Sequence, residues 1–192
     1  MARGSRDLLT DLSEFVIAQG VRVELRDMAI EKPGEFDGPT ITINPKHDRE
    51  ALCYYLAHSF GSIYQWSTDS GHARMVFEAL RDVKGTKDRV FEEALRAWQT
   101  FEQTSSEHAV WTLGRIGHED AVQPYTVFFR ADLEAMTIFH RTGKEPAWPE
   151  FFTEWKKRVA SGEIRVEPFR PKPVARFRPV RIEKQEVLQE RD

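Results

Sequence analysis

The sequence predicts an α+β fold, with a small sheet packed on a mostly helical body. Three observations lead there. Residues 21–25 (VRVEL) and 40–44 (TITIN) have the β-branched, alternating character of short strands. From residue 48 to about residue 160, nearly every stretch repeats apolar residues at helical spacing. After Gly162 that periodicity stops, and four prolines fall within the last thirty residues.

Taken in order, residues 7–19 form an amphipathic helix. Leu8, Leu9, Leu12, Phe15 and Val16 make its apolar stripe, and Gly20 is placed to end it. The strand at 21–25 follows. EKPGEFDGP is turn chemistry. The strand TITIN then leads through Pro45 into a helix over about 48–66. Apolar residues surround most of that helix, which predicts a buried central element. HARMVFEALRDV is helical and breaks near Gly85. DRVFEEALRAWQTFEQ and SSEHAVWTLGRI continue as helix and stop at Gly117. Pro124 suits the first turn of the next helix, which ends at Gly143. WPEFFTEWKKRVASG is a last short helix. No internal repeat is visible. The division expected is a domain over 1–162 and an extended, Pro/Arg-rich C-terminal arm over 163–192. Val174, Phe177 and Val180 give that arm something to bury against a domain or a partner. A free tail is the alternative that its proline and charge content allows.

Composition narrows the function classes. Of 192 residues, 40% are hydrophobic and 31% charged, and the formal net charge is -3. Nothing in that balance pulls the whole chain toward nucleic acid or an anionic membrane. The single cysteine, Cys53, rules out an intrachain disulfide and fits a reducing, cytoplasmic setting. No apolar run reaches membrane-spanning length, and the first fifteen residues lack the apolar stretch of a secretory signal.

The stretches TITINP, YYLAHSFGSIYQW and EHAVWTLGRIG, spread over residues 21–117, together resemble the ImmA/IrrE-type metallopeptidases. These are small gluzincin-like, or zincin-like, proteins. In that family a strand precedes a helix bearing His-Glu-x-x-His, and a later helix supplies a Glu. The resemblance implies a zincin-like domain. It places His58 at the first metal ligand and Glu107 at the third. Ser59 then stands where the general base belongs, and Ser62 where the second His belongs.

Two His one helical turn apart share a face and can hold zinc, while the intervening Glu activates the metal-bound water. A serine hydroxyl is not basic at neutral pH and is a poor zinc ligand beside imidazole. The expectation is therefore a catalytically inactive member with a vestigial site at His58, Ser59, Ser62 and Glu107. No resident metal is expected; if one binds, it is zinc at His58 and Glu107. A metal-dependent hydrolase with another ligand set, such as His58, Glu107 and His72, is the enzymatic alternative. Two structural alternatives stay open as well. His58 can be a buried, hydrogen-bonded histidine, and Glu107 can belong to a capping box in TSSE, with Thr104 or Ser105 at the cap.

Gly61 inside the helix either lets another helix approach or marks a groove floor. Cys53, in apolar surroundings, is expected to be inert. In a zincin-like domain the strand Thr40, Ile41, Thr42, Ile43, Asn44 borders the cleft and could pair with an extended peptide. Family members act in bacterial regulation by cleaving partner regulators, so the resemblance implies binding of a protein or peptide without cleavage. A structural subunit that assembles through the arm is a third possibility. The arm's two Phe are too few for a stacking platform and no nucleic-acid module is present, so a protein-facing role is expected for it.

Overall fold

The computed structural model describes residues 7–28, 33–82, 88–144 and 146–182. It is mainly helical with one three-stranded sheet, so the α+β expectation holds at that level. The elements are α1 (Leu8–Ala18), β1 (Arg22–Leu25), β2 (Gly34–Phe36), β3 (Thr40–Ile43), α2 (Arg49–Thr68), α3 (Ser70–Asp82), α4 (Arg89–Arg115), a single 3₁₀ turn (Glu119–Ala121), α5 (Val122–Thr142) and α6 (Trp148–Ala160). Aspartates start four of the helices; at α3, Asp69 Oδ1 accepts from His72 N–H at 3.1 Å. Asp7, Asp48 and Asp88 accept hydrogen bonds from the backbone N–H of Thr10, Ala51 and Phe91, satisfying donors that a first turn leaves open.

The sheet order is β1-β3-β2, with β1 parallel and β2 antiparallel to β3. Two expectations change here. The GEF portion of the turn-like segment is a strand, pairing Gly34 with Ile43 and Phe36 with Ile41. A Cβ on Gly34 would lie 2.2 Å from the Tyr55 ring, so only glycine lets α2 pack on this strand. The second change concerns the strand expected to receive a peptide. β3 lies in the middle of the sheet, with both hydrogen-bonding edges taken, and Thr40, Ile41, Thr42 and Ile43 are all buried. Strand addition at β3 has no free edge to use.

α2 is the central helix, as its all-round apolar character predicts. It packs against α1, the sheet, α3, α4 and α5, and twelve of its twenty residues are buried. The stretches DRVFEEALRAWQTFEQ and SSEHAVWTLGRI lie on one helix, α4, of 27 residues. TSSE therefore lies mid-helix and caps nothing. Its hydroxyls bond elsewhere: Ser106 donates back to the Glu102 carbonyl at 3.1 Å, and Ser105 bonds across to α2. Gly117, Gly143 and Gly162, with φ of 87°, 68° and 79°, follow the ends of α4, α5 and α6. The break expected at Gly85 lies outside the described residues.

Residues 163–182 contain no helix or strand, yet they are tied to the body along their length. Phe169 belongs to the main apolar core, and Ile182 joins a second core built from Trp66, α3 and the first half of α4. Lys172 N–H donates to the Glu107 carbonyl at 3.0 Å. Ala175 N–H reaches Tyr64 Oη at 3.2 Å, Val180 N–H reaches Ser67 Oγ at 3.2 Å, and Ile182 N–H reaches the Asp37 carbonyl at 2.9 Å. The segment thus passes from α5 over α4 and α2 to the turn between β2 and β3. Its Phe169 and Ile182 are shared with the body's two cores.

The contact between α2 and α4 makes a sharp prediction. A Cβ on Gly61 would sit 2.2 Å from the Ser105 carbonyl oxygen, whereas one on Gly114, also helical, would touch nothing within 4 Å. Helix propensity alone favours alanine at both by about 1 kcal/mol. Thermal melts should therefore split: Gly114→Ala rises slightly, and Gly61→Ala falls by several degrees, as overpacking of about 1–3 kcal/mol implies.

Candidate functional site

His58 sits on the part of α2 that faces α4 and α5, and it is 6% exposed. Its Nε2 lies 2.8 Å from Glu102 Oε2, with the carboxylate accepting. The other ring nitrogen, Nδ1, faces Tyr125 Oη at 3.4 Å and Ser106 Oγ at 3.5 Å. The ring stacks on Phe129 at a centroid distance of 3.6 Å and an angle of 20°. Tyr125 itself is completely buried, and that burial holds its hydroxyl pKa well above the ordinary value. His58 is therefore a fully engaged histidine at a three-helix junction.

The carboxylate at this histidine is Glu102, not Glu107. Five residues along an α-helix turn the side chain through about 140°, so the two glutamates cannot serve the same neighbour. Glu107 lies on another side of α4, where its carboxylate accepts from Gln103 Nε2 at 3.4 Å and its carbonyl holds Lys172. A signal for Glu102 was present in the sequence. It is four residues from both Trp98 and Ser106, within a helix face whose other members are buried, and a carboxylate in such a stripe needs a partner.

Ser62, one turn after His58, donates to Ser105 Oγ at 3.1 Å, and Gln65 Nε2 donates to the same oxygen at 2.6 Å and to the Phe101 carbonyl at 2.9 Å. This is a polar seam joining α2 to α4 below Gly61. Ser59 is fully buried and its hydroxyl has no hydrogen-bond partner among the described residues. The structure thus brings His58 together with Glu102, and Ser62 together with Ser105. It does not bring Glu107 to either group.

A zinc ion does not fit this arrangement. Ligands at about 2.0–2.1 Å in tetrahedral geometry lie about 3.3 Å apart, whereas Nε2 and Oε2 are at direct hydrogen-bond distance. The Tyr125 and Ser106 hydroxyls approach the opposite ring nitrogen, so the donors do not converge. Among the described residues no three His, Cys, Asp or Glu side chains group together, and His72 is exposed on α3. Burial pushes the Cys53 thiol up to about 11, which leaves it protonated and unreactive at neutral pH.

The strand Thr40–Ile43 and Asn44 lie on the sheet side of α2. Asn44 is a staple for the loop around it: its side chain accepts from Met28 N–H at 3.4 Å and Lys46 N–H at 3.3 Å, and donates to the Met28 carbonyl at 3.3 Å. None of the described helices is long and apolar enough to cross a membrane.

The feature that residue-level motifs did not point to is the seat of the C-terminal segment. His108 Nδ1–H donates to the Lys172 carbonyl at 2.9 Å, and the Tyr64 ring meets His108 edge-on at 4.6 Å. Phe177 packs on Phe60 and Tyr64. A Cβ on Gly38, where φ is 93°, would lie 1.7 Å from the Val180 carbonyl oxygen. Desolvation lowers the His108 pKa to about 4. Comparison with protein-family models, with curated proteins and with solved structures finds no match for this chain.

Two stability measurements check these assignments. Ser59→Ala should leave the unfolding free energy unchanged or raise it by about 1 kcal/mol, since a buried unpaired hydroxyl is removed; Glu102→Ala should cost about 1–3 kcal/mol by stranding the His58 ring. The second concerns pH. With a folded pKa near 4 against 6.5 for an ordinary histidine, the unfolded chain takes up the proton first. The His108 contribution is complete above pH 6.5 and is lost as pH falls toward 4. Subtracting the stability profile of His108→Gln from that of the parent should isolate a difference that changes only in that window.

Proposed function

We propose that this chain is a catalytically inactive, zincin-like protein that acts by binding another protein or peptide. The observation that carries the first half is the direct pairing of His58 Nε2 with Glu102 Oε2. Where a metallopeptidase of the ImmA/IrrE type places an ion between imidazole and carboxylate, this chain closes the gap with a hydrogen bond. The arrangement of strand, turn, helix with histidine and second helix with glutamate supports the kinship in outline. The serines at 59 and 62 are absorbed into helix packing and present no open face where water could be activated.

The second half is supported by what the body does to its own C-terminal segment. α2, α4 and the β2–β3 turn hold an extended stretch of polypeptide through side chain–backbone and backbone–backbone hydrogen bonds, with pockets for Phe169, Phe177 and Ile182. Main-chain capture with alternating side-chain pockets is how protein surfaces recognise extended peptides. In this reading the binding surface is the groove across α2 and α4, and not the edge of β3. A cytoplasmic setting fits the single buried cysteine.

Elemental analysis of protein purified without chelator tests the reading, together with hydrolysis of casein with and without added zinc. Far less than one zinc per chain and hydrolysis at the buffer rate are expected. Near-stoichiometric zinc that disappears in His58→Ala, or chelator-sensitive hydrolysis, would establish the metal-dependent hydrolase in its place.

A further inference from the structure

The C-terminal segment has a second face. Phe169 and Ile182 are buried and Val174, Phe177 and Pro179 are partly buried against the body, while Arg170, Lys172, Arg176, Arg178 and Arg181 are all exposed. None of these five cations takes part in an ion pair or a side-chain hydrogen bond with the described residues, unlike Arg165, which pairs with Glu167 at 2.8 Å. Backbone bonds at 172, 175, 180 and 182 fix the line on which they stand. At the rise of extended, proline-rich backbone that line covers about 34 Å. The result is a fixed row of unpaired cations on the outside of the molecule.

The rest of the chain has the opposite sign. Setting aside the six cations and one carboxylate between Arg165 and Arg181 leaves 22 Lys and Arg against 30 Asp and Glu, a formal charge of -8. We infer that the outer face of residues 170–181 is a docking surface for an acidic stretch of polypeptide. A thin acidic strand or helix edge can follow a row one residue wide and stay clear of the acidic body. A DNA duplex, with a charge every 1.7 Å or so along its axis, would set many phosphates against that body as well. Single-stranded nucleic acid would find no aromatic platform, because both Phe of the segment point inward. The surface is distinct from the groove beneath the segment and does not depend on the state of the His58 site.

The test uses the full chain and a fluorescently labelled Glu-rich peptide of about twelve residues, long enough to span the row. A Gln-for-Glu version, a duplex and a single-stranded oligonucleotide of similar length serve as competitors. The Glu peptide should bind, should weaken as salt rises, and should lose about tenfold in affinity in the variant Arg170→Gln, Arg176→Gln, Arg178→Gln, Arg181→Gln, as the sum of four exposed charge contacts. The melting temperature of that variant should match the parent. If it does not, Arg176→Gln with Arg178→Gln alone should still show about a threefold loss. Equal binding of the Gln peptide, affinity untouched by the substitutions, or tighter stripe-dependent binding of either oligonucleotide would overturn the assignment.

Discussion

The arrangement of this protein depends on how closely α2 and α4 approach. At Gly61 the absence of a side chain brings the α4 backbone, at the Ser105 carbonyl, to a distance no Cβ could tolerate. One turn to either side the contact is polar. His58 meets Glu102 above it, and Ser62 and Gln65 meet Ser105 and the Phe101 carbonyl below it. Two helices this close cannot interdigitate large side chains, so small and hydrogen-bonding residues occupy the seam and the bulky groups move to its flanks. Phe60, Ile63 and Trp66 on α2, and Leu95, Trp98 and Leu113 on α4, then build the two apolar cores.

This seam also explains the serines. A glutamate at 59 would place a carboxylate where even a hydroxyl lacks a partner, at a cost that an unpaired buried charge makes severe. An imidazole at 62 would need room that the Ser105 contact denies. Small side chains at 59 and 62 are what the close contact between α2 and α4 admits.

Much of the fold was legible in the sequence because its signals are local. Glycine stops and the all-round apolar character of residues 48–66 placed the helices well, and of the two roles open to Gly61 the close helix neighbour is the one observed. Where the sequence reading failed, the deciding interaction was distant in the chain. Gly34–Phe36 is a strand only because β3 pairs with it, and TSSE is mid-helix only because the stripe from Phe91 to Leu113 packs continuously. At the centre of α2 the resemblance singled out His58 and offered Glu107 as a co-ligand, whereas the carboxylate that helical phase brings to His58 is Glu102. The strand Thr40–Ile43 was recognised, while its central place in the sheet depends on a neighbour, β2, that had been read as a turn.

The contacts that fasten residues 169–182 have one further consequence, for the order in which the molecule assembles. They join positions 64 residues apart at His108 and Lys172, 111 at Tyr64 and Ala175, and 113 at Ser67 and Val180. Loops of that size close only onto a surface that already exists, because the entropy of closure must be met before any contact forms. The stretch synthesised late is thus the one that lays Phe177 on Phe60 and Tyr64, and until it docks that side of the two rings lacks its cover. A nascent or truncated chain is sticky there until the segment closes over that face.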